Sequence, residues 1–221
     1  MKFLDKDINL VIFDLDGTLI ASTSLWADID KAFFKSYNME IPPHYNKEIA
    51  HIGLTSAAKL TKRKYLPQLE VEEILKKWND LALEAYQKHI PLKSHALELL
   101  QLLKNNNVKI ALATANSEEL YLPCLKRLKI DQYFDLIVDV NSCKEGKNSP
   151  EIYDKISSYF FINKENILII EDMLEALKTA YQNNYNVVGV YDKYSVSNIE
   201  ENKKYCHLFI NDFSELIDKL K

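Results

Sequence analysis

An α/β fold is predicted: a doubly wound parallel sheet as the core, with a small all-helical domain inserted after its first strand. Three observations carry that reading. Short runs rich in isoleucine and valine recur at 8–13, 108–113, 136–138, 167–170 and 187–191 with little polar alternation. That is the pattern of strands buried on both faces. Helix-period segments lie between them, as in sheets wound with helices on both sides. Residues from about 22 to 86 hold no convincing strand, and a plain crossover needs far fewer residues than that.

The elements follow in order. The strand at 8–13 runs into Asp14. Helical patterns then cover 25–37, 55–65 and 70–89, broken by Pro42-Pro43, Gly53 and Pro67. Trp26 and Trp78, with Phe33, Phe34 and Tyr37, are expected to form the core of this insert. Segment 95–104 places Ala96, Leu97, Leu99, Leu100, Leu102 and Leu103 at helical spacing before the strand at 108–113. A helix over 118–128 is expected to kink or start late at Pro123, which has no N–H to donate. After the strand at 136–138, Ser149-Pro150-Glu151 reads as an N-cap, a proline at the first helical position and an acid on the positive end of the dipole. The strand at 167–170, a helix over 173–183, the strand at 187–191 and a helix over 213–220 complete a Rossmann-like core. The core is therefore expected at 1–20 and 88–221, and the helical domain at 21–87.

The 221 residues carry 47% apolar and 27% charged side chains and a net charge of −4. This excludes the low-hydrophobicity, high-charge composition of disordered chains. The acidic balance argues against a nucleic-acid partner. The three cysteines, Cys124, Cys143 and Cys206, form no CxxC pair, which suits reduced thiols in the cytoplasm. The N-terminus has acids where a signal peptide needs an apolar stretch, and no run approaches the ~20 apolar residues of a membrane span. A soluble cytoplasmic protein without a membrane partner is expected, as a monomer or weak dimer. Glycine is scarce: Gly17, Gly53, Gly146 and Gly189 are the only 4, against roughly fifteen at average usage. The few that remain are expected where a side chain would not fit.

Chemistry concentrates at the end of the first strand, in Asp14-Leu15-Asp16-Gly17-Thr18. Ligands of open α/β sheets bind beyond the carboxyl ends of the strands. Two aspartates two residues apart can face one side there. Such a pair is unfavourable unless one acid protonates or a cation lies between them. A hard divalent cation with oxygen ligands, most simply Mg²⁺, resolves the conflict. Gly17 lets the backbone turn sharply behind the pair. By chance this five-residue pattern would occur in roughly one chain in 500 of this length.

The motif resembles the signature of the haloacid dehalogenase-like superfamily, whose members mostly move phosphoryl groups. The family's other motifs follow in order. Thr114 closes the strand at 108–113, Lys147 stands in Gly146-Lys147-Asn148-Ser149-Pro150, and Glu171-Asp172 follows the strand at 167–170. The resemblance spans the chain, and the helical insert sits where the branch containing phosphoglycolate phosphatase and beta-phosphoglucomutase carries a cap domain. It implies a phosphatase acting on a small phosphorylated metabolite. Asp14 is then the nucleophile that forms an aspartyl-phosphate. Asp16 is the acid that protonates the leaving oxygen and the base that activates water. Asp14, Asp16 through its carbonyl, and Asp172 hold Mg²⁺, with Glu171 nearby through water. Thr114 and the amide of Ala115 bind phosphoryl oxygens, and Lys147 neutralises them. Glu171-Asp172 also suits the N-terminus of the following helix.

Departures bear on the substrate. Relatives often read Gly-Lys-Pro where this chain has Gly146-Lys147-Asn148, and Met173 and Leu177 make the turn after the acidic pair bulkier. The segment His51-Ile52-Gly53-Leu54-Thr55-Ser56 resembles the loop by which the cap meets substrate, so Thr55 and Ser56 are candidate substrate contacts. Asn116 is a third, or else it or Ser117 caps the next helix. Mutase relatives carry an arginine near Ser56, and phosphonate-cleaving relatives a lysine. Serine there disfavours the alternative of a sugar-phosphate mutase-type phosphotransferase. Lys59, Lys62, Arg63 and Lys64 read as a solvated helix face. Asp16 disfavours dehalogenation, and the complete charged set disfavours a non-catalytic regulatory protein on the same fold.

Overall fold

In the computed structural model, residues 1–49, 54–140, 143, 146–195 and 198–220 are described. The chain opens with an antiparallel hairpin, β1 (Lys2–Phe3) and β2 (Lys6–Asp7). The buried strand β3 (Leu10–Phe13) follows. Four helices come next: α1 (Leu25–Ser36), α2 (Tyr45–Ile49), α3 (Leu54–Lys64) and α4 (Val71–Lys88). Then α5 (Ala96–Asn105), β4 (Lys109–Thr114), α6 (Glu118–Leu128) and β5 (Leu136–Asp139) alternate. They are followed by α7 (Glu151–Phe160), β6 (Ile167–Glu171), α8 (Leu174–Gln182) and β7 (Asn186–Val190). The last elements are α9 (Ile199–Lys203), β8 (Leu208–Ile210) and α10 (Phe213–Ile217).

Six strands form one parallel sheet in the order β5-β4-β3-β6-β7-β8. From β3 the chain steps outward through β4 to β5, then returns to place β6 on the other side of β3. This reversal of direction is where open α/β sheets bind ligands. The register sets Phe13 opposite both Leu112 and Ile170. Asp14, just past β3, and Thr114 and Glu171, the last residues of β4 and β6, therefore emerge at one edge of the sheet.

The chain forms two compact units, Met1–Thr23 with Ile90–Lys221, and Ser24–His89. In the first, Leu10, Ile12, Ile167, Ile169 and Val187 of the sheet pack with Ile152, Tyr153 and Ile156 of α7 and Leu177 and Ala180 of α8. Each large apolar side chain buried this way contributes ~1.5–3 kcal/mol. Gly189 lies opposite Phe209 in the β7–β8 register, and a Cβ on it would lie 2.6 Å from the Phe209 ring. Its bareness serves packing.

Two expectations needed revision in the first unit. The helix at Pro123 begins at Glu118 and runs through the proline. The missing N–H removes one intrahelical bond, to the carbonyl of Glu119, and Glu119 is exposed. The start of α7 is as read, one residue later: Pro150 has φ −71° and Ser149 Oγ accepts from the Glu151 N–H at 3.4 Å. The elements that sequence patterning missed are the two-residue strands of the hairpin, α2, α9 and β8.

The helical unit is held by edge-to-face aromatic contacts, with Phe34 4.8 Å from Tyr45 and Phe33 5.6 Å from Trp78 between centroids. Trp26 does not join them. It is 47% exposed, although its i+3 and i+7 spacing to Ile29 and Phe33 puts it on the same side of α1. On α3 and its neighbours, Lys62 pairs with Glu70 at 2.5 Å and Lys64 with Glu48 at 2.9 Å, in keeping with a solvated face. Among the described residues no helix is long and apolar enough to cross a membrane.

Asp30 of α1 is buried within this unit, and burial pushes its carboxyl up to about 7. Its folded value lies above the unfolded one, so the folded state binds the extra proton. Stability from this group is full below pH ~4 and is lost as pH rises towards 7. Replacing the acid by its neutral isostere should leave the melting temperature at or below pH 4 almost unchanged. At pH 8, Asp30→Asn should raise it by several degrees, on the order of 2 kcal/mol. Thermal melts of both proteins at the two pH values check this, and equal shifts at both would refute it.

Candidate active site

Beyond Phe13 the backbone stays in the sheet for one more residue, because the Asp14 N–H donates to the Ile170 carbonyl at 2.9 Å. It then turns. The N–H of Gly17 donates to Ile20 O, and those of Leu19 and Ile20 donate to Leu15 O. Gly17 has φ +82°, and a Cβ on it would lie 2.1 Å from Asp172 Oδ2 and 2.8 Å from Thr23 Cγ2. Both the conformation and the close approach need glycine there. The turn thus closes directly onto an acid from the neighbouring strand.

That acid belongs to a buried cluster. Carboxylate oxygens of Asp14, Glu171 and Asp172 lie within 4.8 Å of one another. Their residues are 7%, 1% and 0% exposed. Lys147, from the turn before α7, places Nζ against Asp14 Oδ1 and 2.9 Å from Glu171 Oε2. Thr18 Oγ1 donates to Asp172 Oδ1 at 3.2 Å, and Asn202 Nδ2 donates to the Asp172 carbonyl at 3.1 Å. Asp172 Oδ2 is buried without a hydrogen-bond partner.

The electrostatics follow from three acids around one lysine. Burial raises the Asp172 carboxyl to about 7, and the charge of Asp14 adds to this. Burial and Asp14 together also hold Glu171 well above its usual value, against the pull of Lys147. For Lys147, burial alone would lower the value, but Asp14 and Glu171 more than reverse it and hold the amine charged. An unpartnered buried carboxylate oxygen, with two further acids beside it, fits a hard cation such as Mg²⁺.

Asp16 goes elsewhere. Ser22 Oγ donates to its Oδ1 at 2.6 Å, and Asn116 Nδ2 to its Oδ2 at 2.5 Å. The acid that joins Asp14 is therefore not the carboxylate two residues on but the pair from β6. The loop after β4 supplies the remaining groups. Thr114 is buried, and its Oγ1 accepts the Asn116 N–H at 3.1 Å, while Ala115 is exposed. Asp14, Lys147, Glu171 and Asp172 thus meet, with Thr114, Ala115 and Asn116 on the adjoining strand end. Thr55 and Ser56 are exposed at the start of α3 in the other unit. His51, Ile52 and Gly53 fall outside the described residues.

Sequence reading overlooked several groups. Ser22 gave no signal, because a serine after a turn is ordinary. Tyr153 drew no notice; it lies on the buried face of α7 with Ile152 and Ile156. Its hydroxyl is nonetheless buried without a partner, and the charges of Glu171, Lys147 and Asp14 all act on it. Asp192, past β7, accepts from Thr23 Oγ1 at 2.6 Å and pairs with Lys93 at 3.1 Å. Burial opposes its ionisation, but Thr23, the Tyr194 N–H and Lys93 outweigh it and hold the carboxyl low. A cavity of about 330 Å³ beside this group is lined by Lys93, Tyr191, Asp192, Asp212 and Phe213, and by none of the clustered acids.

Comparison with known proteins gives a consistent picture. Residues 11–190 match the family model described as haloacid dehalogenase-like hydrolase. A phosphorylated carbohydrates phosphatase of Thermotoga maritima is 25% identical over 173 residues, 77% of this chain and 80% of that protein. The pyrophosphatase PpaX of Bacillus cereus is 26% identical over 184 residues, 82% of this chain and 78% of that protein. A crystal structure of a Thermotoga maritima protein assigned as a beta-phosphoglucomutase has a TM-score of 0.87 at 20% identity, covering 97% of this chain and all of that one. At that identity the likeness speaks for the fold.

Proposed function

Because the chain belongs to the haloacid dehalogenase-like hydrolase family, we propose that it is a Mg²⁺-dependent phosphatase acting on a small phosphorylated metabolite through an aspartyl-phosphate on Asp14. The observation that carries this reading is the position of Asp14 at the central strand end, held by Lys147 and grouped with Glu171 and Asp172. That is the set a phosphoryl group needs: a nucleophile, a fixed cation, and acids that fit a metal.

In this mechanism an Asp14 oxygen attacks phosphorus as the bond to the leaving oxygen breaks, and Asp16 gives that oxygen its proton. Asp16 then takes a proton from water, whose oxygen attacks the aspartyl-phosphate and frees Asp14 and inorganic phosphate. The Thr114 hydroxyl and the Ala115 N–H bind phosphoryl oxygens, and Lys147 balances their charge in the transition state. Asp14, the Asp16 carbonyl and Asp172 would hold Mg²⁺, with Glu171 close by. When bound, the ion supplies charge neutralisation and orientation to the phosphoryl oxygens.

The helical domain, assigned to 21–87, selects the substrate, with Thr55 and Ser56 as its contacts. The names of the relatives support a phosphorylated carbohydrate first and pyrophosphate second. We assign the protein to the cytoplasm, in keeping with three cysteines that form no disulfide among the described residues. A panel of sugar phosphates and pyrophosphate, assayed with Mg²⁺, tests the proposal. Phosphate release that EDTA stops and Mg²⁺ restores is the expected result. Isomerisation of a sugar phosphate without net phosphate release would make the chain a mutase, and binding of Mg²⁺ without any turnover would make it non-catalytic.

A further inference from the structure

We propose that Tyr153 is a positioning residue held in reserve: its hydroxyl donates to the Glu171 carboxylate once Lys147 turns from Glu171 to the phosphoryl oxygens. The inference rests on the phosphatase reading, in which a phosphoryl group comes onto Asp14. Tyr153 is the third residue of α7 and is 1% exposed. Its ring belongs to the core of Ile12, Ile152, Ile169 and Leu177, and it meets Tyr185 edge to face at 5.9 Å between centroids. The two phenols differ. Tyr185 Oη donates to Asp154 Oδ1 at 2.5 Å, whereas Tyr153 Oη is buried with no hydrogen-bond partner. Phenylalanine would serve the packing equally well, and a buried hydroxyl left unpaired is destabilising. The oxygen is accounted for by a state in which it has a partner.

Its surroundings say which partner. Glu171, Lys147 and Asp14 are the charges felt at the hydroxyl, Glu171 most strongly. Burial and Glu171 hold the phenol well above its usual value, so it donates without ionising. In the free protein Lys147 leaves it idle. Lys147 Nζ donates to Asp14 Oδ1 and, at 2.9 Å, to Glu171 Oε2. The other Glu171 oxygen accepts only a long 3.4 Å contact from the Met173 N–H. When Asp14 becomes an acyl phosphate it loses its own negative charge, and the phosphoryl oxygens carry charge instead. The Lys147 ammonium follows that charge. Glu171 is then a buried carboxylate without its cation, which is a costly state. A donor already seated in the wall beside it lowers that cost, and so lowers the barrier to moving Lys147.

Tyr153→Phe keeps the ring and removes the oxygen. The free variant should melt at the parent's temperature or slightly above it, because an unpaired buried group is lost. On the best substrate of the panel its kcat should fall about 10-fold, with KM changed by less than about 3-fold, because the contact forms only when the phosphoryl group is on Asp14. Orthovanadate with Mg²⁺ imitates five-coordinate phosphorus, and it should raise the melting temperature of the parent more than that of Tyr153→Phe. A tyrosine that serves packing alone gives the opposite pattern: a lower melting temperature, with kcat and the vanadate shift unchanged. That pattern, or an unchanged kcat at an unchanged melting temperature, would overturn the proposal. Parent and Asp14→Asn are assayed alongside. If the parent releases no phosphate, the phosphatase reading fails and the role of Tyr153 with it. If the parent turns over and Tyr153→Phe matches it, only the role of Tyr153 fails.

Discussion

Asp14→Asn should abolish turnover of every phosphorylated substrate, by a factor on the order of 10⁴ or more, as removal of a nucleophile does in other covalent enzymes. An amide nitrogen or oxygen is too poor a nucleophile to take the phosphoryl group, and nothing else at the strand end replaces it. Glu171 is occupied by Lys147 at 2.9 Å, and Asp16 is turned to Ser22 and Asn116. The substitution is nearly isosteric, so the fold should survive. It also removes one of three mutually repelling acids, so the metal-free protein should melt no lower than the parent and gain less stability from added Mg²⁺. Phosphate release, circular dichroism and melts with and without Mg²⁺ measure these together. Turnover that persists in proportion to the concentration of rigorously purified Asp14→Asn would remove Asp14 from the mechanism.

How much of this was legible in the sequence depends on range. The strands β3, β4, β6 and β7 were readable because a strand buried on both faces leaves an uninterrupted apolar run. Asp14, Thr114 and Glu171 were readable for the same reason, since each stands where such a run stops. The hairpin at Lys2–Phe3 and Lys6–Asp7, and the three-residue edge strand β8, are too short and too polar to leave that mark. Gly189 was conspicuous by its rarity, but its reason, the Phe209 ring across the register, is a cross-strand contact that no local pattern encodes. Trp26 misled because hydrophobicity predicts the core only on average. The orientation of Asp16 was out of reach. Strand alternation placed it beside Asp14, but the chain leaves the sheet after Asp14, and the turn at Gly17 carries the carboxylate to Ser22 instead.

Lys147→Met should combine a large catalytic loss with a large loss of stability, and the two should respond differently to Mg²⁺. The lysine is 12% exposed and lies between Asp14 and Glu171. Removing one partner from a buried ion pair leaves an uncompensated charge, which costs ~3–5 kcal/mol. Two of the three acids lose their cation here, so in metal-free buffer the variant should fall at the upper end of that range. Mg²⁺ should recover much of this. Lys147 and a divalent ion compete for the same carboxylates, so without the lysine the site is more negative and binds the ion more tightly. The rise in melting temperature on adding Mg²⁺ should therefore be larger in Lys147→Met than in the parent. Activity should not return with it. The methionine leaves the transferring phosphoryl oxygens without a fixed cation at that position, a loss of roughly 10²–10³-fold in kcat. Denaturant melts across a Mg²⁺ titration, paired with rate measurements at saturating Mg²⁺, separate the two effects. A stability loss that Mg²⁺ leaves untouched would mean that Asp14, Glu171 and Asp172 are held together by Lys147 alone, and would remove the metal from the site.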